Sequence, residues 1–152
     1  MNTIKLKGTY NFKIIGVDGK VRDEWSVENS IVNAGKAQLA LLAGDATATP
    51  FTYLAVGTSS TAVSAGQTTL QAEITDTGLA RAAATVSRTT TSVTNDTLSL
   101  VYTWTASGSK TVEEIGAFNA SSSGTMLGRA LTGSKALSNG EQLIATYTVA
   151  FA

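Results

Sequence analysis

The first residues whose types and spacing invite a chemical reading are TAVSAGQTT at 61–69, directly after the strand-like run FTYLAVG at 51–57. A strand that opens into a turn rich in Gly, Ser and Thr is where a phosphate cradle would form. A P-loop needs a glycine, four residues, a second glycine, a lysine and Ser or Thr, followed by a helix. Its glycines let backbone N–H groups curl round the phosphates, and its lysine supplies a point charge. Aligned on Gly66, this sequence has Thr61 at the first glycine and Gln67 at the lysine. The following TTLQAEITDTG has no amphipathic run, so a phosphate would meet neither a cation nor a helix N-terminus. Phosphate chemistry is not expected.

Carboxylates are the next candidates. Glu113 and Glu114 are adjacent, and adjacent side chains of a strand point to opposite faces, so the two cannot serve as acid and base across one substrate. One of them is expected to face the core and to need a partner, because an unpaired buried carboxylate is costly. Arg129 lies on the strand expected to pair with theirs, which predicts a structural Glu114–Arg129 ion pair; Glu73 and Arg81 are expected to form a second. Removing one partner of such a pair should cost more than replacing both by apolar residues. Asp18, Asp23 and Glu24 lie close together in VDGKVRDE, but the lysine and arginine among them break the pattern of a calcium loop.

The chain has no histidine and no cysteine. The usual general base near neutral pH, the Ser-His-Asp triad, thiolate chemistry and the common zinc ligands are therefore missing together. No catalytic residue, cofactor or metal is expected. A carboxylate-only hydrolase is the enzymatic alternative, and no pair of acids falls at a suitable spacing for it.

The elements that must position these residues follow from composition and periodicity. At 152 residues the length fits one domain, read as 1–152 with residues 1–28 as an N-terminal hairpin or arm. Thr is the most frequent residue, and Ala, Thr, Ser and Gly make up about half of the chain; Thr favours strands, and Gly and Ser punctuate turns. Net charge is zero and only 14% of residues are charged. No basic block is present, so no nucleic-acid partner is expected. The longest apolar stretch, LALLA, is too short to span a bilayer, and the N-terminus lacks the apolar core of a signal peptide, so a soluble protein without a membrane partner is expected.

TYNFKIIGV and VRDEWSV flank VDGK, where Asp18-Gly19 predicts a type I′ hairpin. SIVNAGKAQLALLAG changes period and predicts one helix over about 33–43, with Asn33 as N-cap, Leu39, Ala40, Leu42 and Ala43 on one side, and Gly44 as a left-handed stop. FTYLAVG and LARAAATVSR are each expected to be a strand. In TLSLVYTWT the alternation puts Leu98, Leu100, Tyr102 and Trp104 on one buried face. TVEEIGAFNA, with Phe118, pairs with GTMLGRAL, and QLIATYTVAFA turns Leu143, Ala145, Tyr147, Val149 and Phe151 inward. Turns at intervals of about ten residues predict a mainly β fold, an antiparallel sandwich or barrel-like domain with one short helix.

The order of NSIVNAGKAQLALLAG, PFTYLAVGTSST, AGQTTLQAEI, GLARAAATVS, TNDTLSLVYTWTASG, VEEIGAFNASSSGTMLGRAL and LIATYTV resembles small Ala/Thr-rich virion proteins of tailed bacteriophages. The resemblance runs from about Asn29 onward. It implies a scaffold role for Asn29, Gly35, Gly57, Thr69, Leu70, Glu73, Arg81, Glu114, Gly116, Phe118 and Arg129. It makes GTSSTAVSAGQTT, residues 57–69, a long structural crossing that ends where Leu70 docks and Glu73 finds a cation. It further implies a capsid decoration (cement) protein on the outer surface of the head, made in the bacterial cytoplasm, with the major capsid protein and a homotrimer of itself as partners. Met1–Phe12 is the segment expected to reach a neighbouring subunit. A tail-fibre or baseplate component is the alternative within this class. From another class, Trp25, Trp104 and four Tyr suggest a carbohydrate-binding β-sandwich, which would require aromatics exposed together on one face.

Overall fold

A computed structural model describes residues 3–152, and among these the protein is an antiparallel β-sandwich with one helix. The strands are β1 (Leu6–Ile15), β2 (Val21–Glu28), β3 (Ser30–Ile31), β4 (Tyr53–Gly57), β5 (Ala82–Ala83), β6 (Thr85–Thr89), β7 (Thr97–Thr105), β8 (Lys110–Phe118), β9 (Met126–Leu137) and β10 (Gln142–Phe151). The helix α1 spans Asn33–Gly44. One sheet has the order β2-β1-β10-β7-β6 and the other β3-β9-β8-β4-β5. Between them lie Tyr10, Phe12, Ile14, Leu54, Val56, Leu100, Trp104, Ile115, Leu143 and Tyr147, all buried. This is the packing that period-2 strands produce when each turns one apolar face inward.

Along β7, Leu100 and Trp104 are fully buried, while Leu98 and Tyr102 pack against the core only half-buried. On β10 the inward run holds from Leu143 to Val149 and ends at Phe151, which is 40% exposed at the end of the strand. Phe118 is buried, but in a second cluster with Val32, Ala55, Leu70 and Met126 outside the inter-sheet core.

Four local expectations are corrected. The β1–β2 turn is not type I′: Gly19 is left-handed (φ 78°), its N–H donates to Gly16 C=O (2.9 Å), and the Gly16 N–H donates to Lys20 C=O. This is a three-residue loop with a glycine bulge, and Asp18 escapes a positive φ by accepting the Lys20 N–H instead. Val32 rather than Asn33 occupies the N-cap position, with no side-chain cap, and the Asn33 N–H donates to Ala65 C=O in the long loop. Gly44 remains helical, and the Asp45 N–H closes the end on Leu41 C=O. LARAAATVSR is two strands: β5 edges one sheet, and after Ala84 the chain crosses to become β6 at the edge of the other.

The N-terminal hairpin is built in and is not an arm. β1 lies between β2 and β10, and even Lys5 exchanges backbone hydrogen bonds with Ala152. Of Met1–Phe12, Met1 and Asn2 lie outside the described residues. On the same side of the sandwich as β2, Asn29 carries the chain from β2 into β3. Its side chain sits between Gly8 and Gly128, where a Cβ on either would collide with it, and its Nδ2 donates to Tyr147 Oη.

Gly35 is the one buried residue of α1, and a Cβ there would run into the Leu127 carbonyl of β9. The helix can approach the sheet closely only at this glycine. Gly35→Ala should therefore destabilise the protein by about 1–3 kcal/mol, because the helix must move off β9. Gly44→Ala, with open space at its Cβ, should be neutral or slightly stabilising. Chemical denaturation of the two variants checks the contrast, and equal losses would contradict it.

Candidate functional site

The densest polar constellation sits on the outer face of the sheet β3-β9-β8-β4-β5. A register irregularity between Val112 and Glu114 switches the facing of β8: Val112 and Ile115 both point into the core, and Glu114 points away from it. The carboxylate expected to face the core thus lies on the opposite side of the sheet. It is nonetheless fully buried, because residues 58–72 fold over this face and return to the sheet at a Gly57–Glu73 bridge.

Beneath the loop, Arg129 Nε donates to Glu114 Oε2 at 2.6 Å, with both side chains at 0% exposure. Glu114 also accepts the Gln71 N–H (3.0 Å) and the Ala72 N–H (2.7 Å). The Arg129 guanidinium donates onward to Thr61 C=O (2.8 Å), Gln67 Oε1 (3.2 Å) and Ser59 C=O (3.4 Å). Each charge is therefore met by its partner and by loop backbone, which is what a buried ion pair requires. Glycine makes the space: a Cβ on Gly57 would strike the Glu114 carboxylate, and one on Gly116 would press on Leu70.

The loop at 61–69, where no phosphate chemistry is expected, is held by the same groups. Gln67 accepts from Ser64 N–H and Arg129 and donates to Ala62 C=O, so the residue at the P-loop lysine position is an internal tie. Leu70 is buried in the second cluster, while Thr69 is exposed and gives its carbonyl to Gln71.

Beside it, Arg81 grips Glu73 through two parallel bonds of 2.9 and 2.7 Å and donates to Ala120 and Ser123 C=O. Its guanidinium carbon lies 3.7 Å from the Phe118 ring centroid. Arg22 holds Glu141 in the same two-pronged way at the far end of the sandwich, and Lys135 joins Asp23 over Trp25. Those two pairs were missed by sequence reasoning, since partners more than 100 residues apart carry no spacing signal. Glu113 stays half-buried and apart from this network.

Chemically, these arrangements position backbone; they do not present a reactive group. Among the described residues no cluster of three or more acids is placed to hold a metal ion, and no helix is long and apolar enough to cross a membrane. The aromatics are not gathered on an open face. Trp104 is buried with its Nε1 donating to Ala80 C=O, and Trp25 is half-buried in a stack that runs through Phe12 and Tyr10 to Tyr147. Burial pushes the pKa of the Tyr10 and Tyr147 hydroxyls well above the ordinary tyrosine value, so both stay neutral.

What the protein presents outward is the far face of β10, β7 and β6. Its cross-strand rows read Thr146–Val101–Thr85 and Thr148–Ser99–Ser87, without a charge, with Ser99 buried between its exposed or half-buried neighbours. Toward β1 and β2 the same face forms a depression of about 400 Å³ where Asn11 meets Ser26 and Lys13 lies 3.8 Å from Glu24.

The fold and these sites define a two-sheet antiparallel sandwich whose buried charges serve a long covering loop. No family model, curated protein or solved structure matches the chain.

Glu114 and Arg129 each hold backbone groups besides one another, which changes the expected behaviour of a double replacement. Arg129→Met should cost about 3–5 kcal/mol. Glu114→Leu/Arg129→Met should recover little of that loss, because Gln71 N–H, Ala72 N–H and Thr61 C=O remain buried without partners. Hydrogen exchange at 58–72 should rise in both variants, and full recovery in the double variant would refute this account.

Asp96 closes the turn between β6 and β7. Hydrogen bonds from the Val93 and Thr91 N–H groups, then from Ser92 N–H and the Thr97 hydroxyl, hold its carboxyl far below the ordinary 3.8. A depressed folded-state value stabilises the fold above the unfolded value, and the contribution drains away as pH falls below it. Asp96→Asn should lower Tm near neutrality and flatten part of the fall in Tm below the ordinary aspartate range. A variant with the same acid slope as the parent would show that this carboxylate plays no part.

Proposed function

We propose that the protein is a structural component of a tailed-bacteriophage particle: a decoration protein that binds the assembled head from outside and stabilises it. The sequence resemblance supplies the class. The observation that carries the mechanism is the uncharged Thr/Ser face of β10, β7 and β6. The ion pairs within the chain engage most of its Lys, Arg, Asp and Glu. The broad surface left over is suited to hydrogen-bonded and apolar association with another protein and little suited to electrostatic capture.

A protein that binds only the assembled lattice stabilises it by mass action, with no chemical step. The major capsid protein is the proposed partner and the outer capsid surface the proposed location. The homotrimer implied by the resemblance would match three-fold lattice positions through closed cyclic symmetry.

Purified protein added to heads stripped of it should rebind without metal or nucleotide, raise the melting temperature of the heads, and stay bound in salt that screens surface charge. Binding to tails instead of heads would transfer the protein to a tail-fibre or baseplate role. Failure on both would remove the particle reading.

A further inference from the structure

Each side of the sandwich is closed by one continuous extended segment that changes sheets partway. On one side β2 passes through Asn29 into β3; on the other β5 passes through Ala84 into β6. The two edges are defended very differently. β2 carries Arg22, Asp23, Glu24 and Glu28, the kind of charge that discourages a foreign strand. Residues 82–89 carry Arg88 alone, with no proline, and β6 runs against β7 without a bulge. Among the described residues β6 pairs only with β7, and all five of its residues are exposed.

The inward face of β6 is also uncovered. Val86 is 46% exposed and Phe151 40%. Together with Leu39, Leu42, Phe51 and Leu98 they line an apolar groove of about 270 Å³ between β6 and α1. An open strand edge beside an apolar groove is an interaction surface.

We propose that β6 pairs antiparallel with β6 of a second copy, about a two-fold axis through Ser87. The side-chain alternation permits only registers that shift by two residues. The register centred on Ser87 overlaps all five residues. It sets Ser87 against its own counterpart, Thr85 against the second copy's Thr89, and Val86 against the second copy's Arg88. A centre at Arg88 would oppose two guanidinium groups, and a centre at Val86 would lose overlap. In the chosen register the aliphatic stem of each Arg88 covers the other copy's Val86 at the groove mouth. The two five-stranded sheets then become one, and their uncharged outer faces become contiguous.

A strand meeting itself gives only two-fold symmetry. The contact is thus independent of the three-fold arrangement considered above and does not rest on the particle reading. The test is the solution mass of the full chain by analytical ultracentrifugation over a concentration series, with Ser87→Lys and Ser87→Glu alone and mixed. The parent should form dimers of its 15.6 kDa chain. Each substitution alone opposes like charges on the axis and should weaken the dimer roughly tenfold, whereas mixing the two should restore it. Ser87 is exposed, so circular dichroism, and Tm at concentrations low enough that every form is monomeric, should be unchanged in both variants, separating lost pairing from lost folding. A hexamer that splits into trimers in the single variants and re-forms on mixing supports the contact equally. A parent that is monomeric throughout, an oligomer indifferent to both substitutions, or variants that mixing does not rescue would each overturn it.

Discussion

The Arg129–Glu114 pair carries two charges with no exposure to water, and the long covering loop depends on how they are satisfied. Desolvating such a pair is costly unless every lone pair and proton finds a partner. Here those partners are backbone groups of residues 59–72, so the cost of burial and the ordering of the loop are one and the same event. A segment of Thr, Ser, Ala and Gly has little apolar surface of its own with which to hold a fixed shape. Leu70 is its principal apolar anchor, and the buried ions supply most of the rest.

The same logic recurs at smaller scale. Arg81, Arg22 and Lys135 each bind a carboxylate and at least one further group, be it a carbonyl or an aromatic face. Guanidinium suits this use, since its planar fork can hold a carboxylate and still donate elsewhere. A chain so poor in charge pairs most of it within itself, although among the described residues only Glu114, Arg129 and Glu141 are buried. The outer face of β10, β7 and β6 is left to hydroxyls and small apolar groups, beside one undefended strand edge.

Much of the architecture was legible in the sequence because it is written in local periodicity. Alternation in TLSLVYTWT and QLIATYTVAFA identified inward faces that the structure keeps at Leu100, Trp104, Leu143 and Tyr147. It could not grade burial along a face, so Leu98, Tyr102 and Phe151 emerge part-exposed. Turn and cap positions depart from residue-type preference, at the β1–β2 turn through local hydrogen bonds and at the helix start beside a distant loop. Asn33 was a reasonable N-cap by residue type, yet its N–H answers to Ala65 in the loop.

Composition and pattern by themselves determined the β-sandwich class, the single helix, the partner of Glu114, since β8 and β9 are close in sequence, and the partner of Glu73, since Arg81 lies only 8 residues further on. Only the tertiary structure decided which side of the sheet those charges occupy. One irregularity at Glu113 inverts the facing of every later residue in β8, and the three-residue spacing of Val112 and Ile115 does not by itself say which of the two adjacent glutamates is the extra one. The covering of the outer face by 58–72, and the sheet changes at Asn29 and Ala84, were likewise settled by contacts between residues far apart in the chain, which no local signal encodes.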